Sequence, residues 1–160
     1  MRVALIALVW GALFLSVGYV NAQHHMHQGN MEHGASAVDT REFVKFPPAL
    51  LEHTIANMRD HLLALQQINE ALARNEPEKA SKIAEERLGM SSLRLHGAAE
   101  IATFMPQGMQ DAGTAMHKAA SRCGIEAQNV GVTGDLKPAI GALSEVMAAC
   151  VGCHAGYRLK

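Results

Sequence analysis

Residues 150–158 read Cys-Val-Gly-Cys-His-Ala-Gly-Tyr-Arg. Two thiols three positions apart with an imidazole directly after the second form C-x-x-C-H, the spacing that fixes a c-type haem to a polypeptide. Each sulfur can add to a haem vinyl group, and the adjacent imidazole then meets the iron as its proximal ligand. C-x-x-C alone also suits a redox dithiol, half of a zinc site or a local disulfide. A zinc site needs further ligands at compatible spacing, and no second C-x-x-C is present. A thioredoxin-like dithiol needs strand patterns, which the sequence lacks. The motif therefore marks Cys150, Cys153 and His154 as candidate ligands of one covalent haem c, with His154 on the iron.

Upstream of the motif, Leu136, Ile140, Leu143, Met147, Cys150, His154 and Tyr157 recur at alternating steps of four and three. That period predicts a helix whose apolar stripe carries the haem ligands toward a bundle interior. Asp135 is its expected cap, with Pro138 inside the first turn. Three more helices are expected before it. The first opens after Pro47-Pro48 and carries the stripe Leu51, Ile55, Met58, Leu62, Leu65, Ile68 and Leu72. The second is capped at Asn75, with Pro77 in its first turn, and runs on toward Ile101 over a buried face of Ile83, Ala84, Leu88, Ser91, Leu95 and Ala98. The third begins past Pro106 and Gly108, with Met109, Ala112, Met116, Ala119 and Cys123 inward; Met109 and Met116 read as core filling. Gln128 to Gly134 has turn chemistry and is expected to be a loop. No strand-like alternation appears. The fold class expected is all-α, a four-helix bundle over residues 43–160.

The N-terminal part has another character. Met1-Arg2, the apolar run Val3–Val17 and small residues up to Ala22 predict a secretory signal peptide over residues 1–22, hence a periplasmic protein with no membrane attachment after cleavage; an uncleaved anchor is the alternative. Residues 23–42 read as a disordered leader rich in His and Met. Its His24, His25 and His27 are candidate copper ligands: with cleavage after Ala22, a free amine, two amide nitrogens and the His25 imidazole suit a square-planar Cu(II) or Ni(II) ion.

The 160 residues make one domain, 49% apolar but only 4% aromatic, so the core is built from aliphatic residues and Met, and a haem would supply a large flat apolar body. A formal net charge of -1 gives no case for nucleic acid. Cys123, the third cysteine, reads as a small buried apolar residue, with pairing between subunits as the alternative. His53, His96 and His117 are expected at the surface.

Cys-Val-Gly-Cys-His-Ala-Gly-Tyr-Arg on the last predicted helix resembles the ending C-x-x-C-H-x-x-Y-R of the cytochrome c′ family, exported four-helix haem proteins with a single motif near the C-terminus. The resemblance implies that Arg158 lies beside the proximal His154 and that the sixth iron ligand, if there is one, comes from the first helix. Aligning Leu50-Leu51-Glu52 and Ala56-Asn57-Met58-Arg59 with the family pattern puts Met58 there, as in the low-spin relatives; His61, one turn on, is the second candidate. The family also implies a homodimer. An iron with two protein ligands mainly passes electrons, whereas one with an open face binds a gas. The expected function is that of an electron carrier with redox partner proteins and no catalytic residues. A five-coordinate haem that takes nitric oxide or carbon monoxide is the alternative, and a haem protein with a copper-handling leader the third reading.

Overall fold

The computed structural model describes residues 38–160. The expected signal peptide and the copper candidates His24, His25 and His27 lie outside the described residues. The rest is all-α apart from two three-residue strands. In order they are β1 (Glu42–Val44), α1 (Pro48–Ala73), α2 (Pro77–Ile83), α3 (Ala98–Ala102), α4 (Gln107–Thr133), α5 (Lys137–Gly156) and β2 (Tyr157–Leu159). A π-helical turn, Ala84–Leu88, and a 3-10 turn, Met90–Arg94, join α2 to α3.

The first helix starts where the prolines place it and ends in a Schellman closure. The Glu76 amide donates to Ala71 O at 2.8 Å and the Asn75 amide to Leu72 O at 3.1 Å. Asn75 is thus not the cap of the next helix but the left-handed residue of this turn, at φ 56°. The expected long second helix is broken into three pieces. Arg87, in the π turn, reaches back to Asp60 and Gln67 of α1, and Gly97, at φ 64°, turns the chain before α3. The breaks shift the buried face, so Ser91 and Leu95 are exposed while Ser92 and His96 are inside.

The expected loop at Gln128–Gly134 is helix instead, since α4 runs to Thr133 and stops at left-handed Gly134. Ala127 and Val130 continue the buried stripe of Met116, Ala119 and Cys123. Helix α2 passes close at Gly131, where an added Cβ would stand 3.4 Å from Pro77 Cγ, an ordinary contact distance. The Lys137 amide donates to Asp135 Oδ1 at 3.0 Å, so Asp135 does help start α5. The strands also depart from expectation. They pair in parallel, Phe43 opposite Arg158, and tie the two ends of the described chain together.

Helix α4 packs along α5 and α2, and α2 against α1, whereas α1 and α5 barely meet. The main core joins Ile68 and Leu72 of α1, Ala80 of α2, Leu88, Met116, Cys123 and Val130, and Leu143 and Val146 of α5. It is rich in alanine, as a core without large aromatics must be. Cys123 is fully buried, with its thiol pushed up to about 11 by burial. A second, smaller core of Val44, Phe46, Ile101 and Met109 sits at the β1 end.

Helix α5 is long and apolar enough to cross a membrane by composition alone, but Ala139, Ala142, Leu143 and Val146 face the core. That face is rotated from the expected stripe. Leu136, Ile140, Met147 and His154 are exposed, while Cys150 and Cys153 are half-buried. Ile55, Met58 and Leu62 of α1 likewise lie outside the core.

Candidate functional site

The apolar residues that leave the core do so toward one place. Between α1 and α5 lies a cavity of about 510 Å³ whose walls include Ile55, Met58 and Leu62 on one side and Cys153, His154 and Tyr157 on the other. A second, of about 370 Å³, continues it along the same two helices and adds Leu65, Cys150, Val151 and His61. Exposed apolar side chains gathered on the walls of one cleft mark a ligand site rather than random surface. The two cavities share Met58, Leu62 and His154.

The sequence candidates therefore converge. Cys150, Cys153 and His154 come from the C-terminal turns of α5, and Met58 stands on the facing wall from α1. Arg158 also lines the larger cavity, together with Arg41 and Arg59. Its guanidinium lies 3.5 Å from the centre of the Phe43 ring and its Nη1 donates to Asp39 Oδ2 at 2.9 Å. Arg158 Nε is buried with no partner. The Asp39 carboxyl is held well below the usual carboxylate range by hydrogen bonds from the Arg41 side chain and amide, with Arg158 adding to them.

Burial pushes the Cys150 and Cys153 thiols up, Cys150 further affected by Cys153 beside it. A redox dithiol works with a depressed thiol, favoured by nearby cations or a helix N-terminus; these two sit at a helix C-terminus in apolar surroundings. Among the described residues, no three His, Cys, Asp or Glu stand ready to hold a metal ion as their side chains are placed. A porphyrin fits better. The cleft offers thiols, an imidazole and a thioether on its walls, apolar sides, and three guanidinium groups, one with an unpaired buried N–H, that could pair with carboxylates.

Sequence reasoning missed what lies behind Met58. His61, the second candidate for the sixth ligand, is buried, and His96 and His117 are buried rather than on the surface. Their rings gather with centroids 4.6 Å apart for His61 and His96, 6.0 Å for His61 and His117, and 5.6 Å for His96 and His117. His53 is at the edge: its Nε2 lies 3.1 Å from the His96 carbonyl oxygen, which also accepts from Asn57 Nδ2 at 3.1 Å. A signal was present, since His53, Asn57 and His61 fall on every fourth residue of α1 and so share one face. His96 carried none, because the break at Gly97 that turns it inward has no helical period, whereas His117 falls at steps of three, four and three with Ala120, Gly124 and Ala127, which are buried with it in α4. Burial lowers the His61 imidazole to about 4, with His96 and His117 adding to the effect, and lowers His96 as well.

No protein-family model, no curated protein and no solved structure matches the chain.

Proposed function

We propose that the chain is an exported monohaem c-type cytochrome with a cytochrome c′-like four-helix fold, acting as an electron carrier. The observation that carries the reading is the placement of C-x-x-C-H on one wall of a cleft whose other wall presents Met58. Cys150 and Cys153 would hold haem c covalently, His154 and Met58 would ligate its iron, and Arg158, Arg41 and Arg59 would balance its carboxylates. When bound, the haem supplies a one-electron couple. The chain's own part is to keep water from the porphyrin faces with Ile55, Leu62, Leu65 and Met109, and to hold the thioether of Met58 in reach. No acid, base or nucleophile is assigned, and a redox partner would approach the open side of the cleft.

A specific observation favours a second reading, in which the haem takes a diatomic gas. Behind Met58 lies a further chamber of about 170 Å³, lined also by Thr54 and His61, with room for a small ligand beside the cleft. Visible spectra decide between the two. A low-spin spectrum with a thioether-to-iron band, lost in Met58→Ala, supports the carrier; a high-spin spectrum indifferent to Met58→Ala and altered by carbon monoxide supports the gas reading. Protein that stays colourless in a host able to make c-type cytochromes ends both.

A further inference from the structure

The chamber behind Met58 is walled by α1, by the 3-10 turn and the corner after it, by α3 and by α4, and no Asp, Glu, Lys or Arg lines it. Several of its polar side chains are already committed. Asn57 Nδ2 donates to the His96 carbonyl at 3.1 Å, Gln110 Nε2 to the Met105 carbonyl at 3.0 Å, and His117 Nδ1 to the Leu88 carbonyl at 2.7 Å. Two buried atoms of the wall are left with nothing, Thr54 Oγ1 and His96 Nε2, on residues that are only 1% and 6% exposed. Folded proteins rarely leave buried polar atoms bare, and here two of them border one space.

The neighbours of His96 fix what an occupant must offer. Ser92 Oγ donates to Gly89 O at 2.7 Å, so its approach to His96 Nδ1 at 3.4 Å requires the proton on that nitrogen. The same proton faces His61 Nε2, also at 3.4 Å. His96 Nε2 is then a bare lone pair, and burial, which lowers this imidazole, disfavours its protonation. The occupant must donate a hydrogen bond to His96, and it can accept one from the Thr54 hydroxyl. A single hydroxyl group offers both. A charged occupant would find no counter-ion in the wall. Met58, Leu93, Ile101, Met105 and Met116 instead suit an apolar ring behind the hydroxyl. The volume of about 170 Å³ is close to the roughly 150 Å³ in which an engineered apolar cavity holds benzene. Nitric oxide and carbon monoxide have no donor and would leave the lone pair bare; a water molecule would meet the polar atoms but leave the apolar remainder empty.

We propose that this chamber binds a small neutral ligand of the phenol class, held through its hydroxyl by His96 Nε2 and Thr54 Oγ1. The site is separate from the haem cleft and does not require the haem. The test titrates phenol into the full mature chain, and in parallel toluene, a ring of the same size without the hydroxyl, with isothermal calorimetry as the readout. One phenol per chain is expected, with toluene at least about 10-fold weaker because it leaves the buried lone pair unpaired. Thr54→Val removes the hydroxyl at nearly constant volume and should weaken phenol by about 10-fold while leaving toluene unchanged or tighter. Ala102→Leu puts a larger side chain into the chamber wall and should abolish the binding of both. Nuclear Overhauser contacts from the phenol ring to the Met105 and Met116 methyl groups of the unsubstituted protein locate the ligand even if a variant fails to fold. A chamber that holds water only, with no phenol bound at millimolar concentration, would overturn the site. So would phenol bound without those methyl contacts, or phenol binding unchanged in folded Ala102→Leu. Equal affinity for phenol and toluene would overturn the role of His96 and Thr54. Neither readout needs iron, so a colourless protein that binds phenol would defeat the haem reading and leave this one standing, and a haem-loaded protein that ignores phenol would do the reverse.

Discussion

Leu62 offers a direct measure of whether the cleft between α1 and α5 is covered in the working protein. It is 70% exposed, so the chain alone buries less than a third of a side chain whose full burial stabilises by about 1.5–3 kcal/mol. Truncation to alanine should then cost at most about 0.5–0.9 kcal/mol, and the better helix propensity of alanine offsets part of that. A porphyrin laid against this wall would bury the remainder, and Leu62→Ala should cost about 2 kcal/mol or more, as in an ordinary core. Leu143, 1% exposed in the main core, provides the calibration: Leu143→Ala should lose about 2.7–5.0 kcal/mol whatever fills the cleft. The assay is urea unfolding of the haem-containing protein followed by far-ultraviolet circular dichroism. Two protein concentrations are needed, because a second copy covering Leu62 would make the loss depend on concentration. If Leu143→Ala shows its loss while Leu62→Ala stays within about 0.5 kcal/mol of the parent, nothing covers this wall and the haem placement is wrong.

Three other perturbations test separate parts of the structure. Gly97→Ala places a side chain at φ 64° and should cost about 1–2 kcal/mol, with Gly97→Asn milder; thermal unfolding reads both. Arg87→Ala removes the tie from the π turn to Asp60 and Gln67 and should destabilise by about 1–2 kcal/mol, with faster amide exchange over residues 84–88 as the local sign. At Glu85, burial raises the carboxyl, but hydrogen bonds from Ser121 and Ser91 outweigh it and leave the group lowered. A lowered acid stabilises above its ordinary range and loses that contribution as pH falls through its folded value. The advantage of the parent over Ser121→Ala should therefore be full at neutral pH and shrink on acidification, as urea midpoints across pH would show; a difference independent of pH would refute the coupling.

Much of this arrangement was legible in residue order. The prolines before α1 and at the head of α5, the steps of three and four through Met116 and Cys123, and the cluster at Cys150–His154 each act locally, so spacing alone reveals them. What escaped depends on contacts between elements. Gln128–Thr133 has the chemistry of a turn, yet Val130 is buried and α2 crosses at Gly131, so packing prolongs the helix past its own propensity. Leu62 and Ile55 have the period of core residues but face a cleft, because α5 stands away from α1. His96 turns inward only through the left-handed residue after it. The site followed the same division, with the motif readable and the imidazole group behind Met58 hidden.

The pairing of Glu42–Val44 with Tyr157–Leu159 also bears on the order of events during synthesis. Phe43 emerges early and must wait for Arg158, nearly the whole domain later, before that edge can close. The clasp is made by late-arriving residues, so a chain cut just before Tyr157 should leave Phe43 and Val44 without their strand partners and hold that edge loosely.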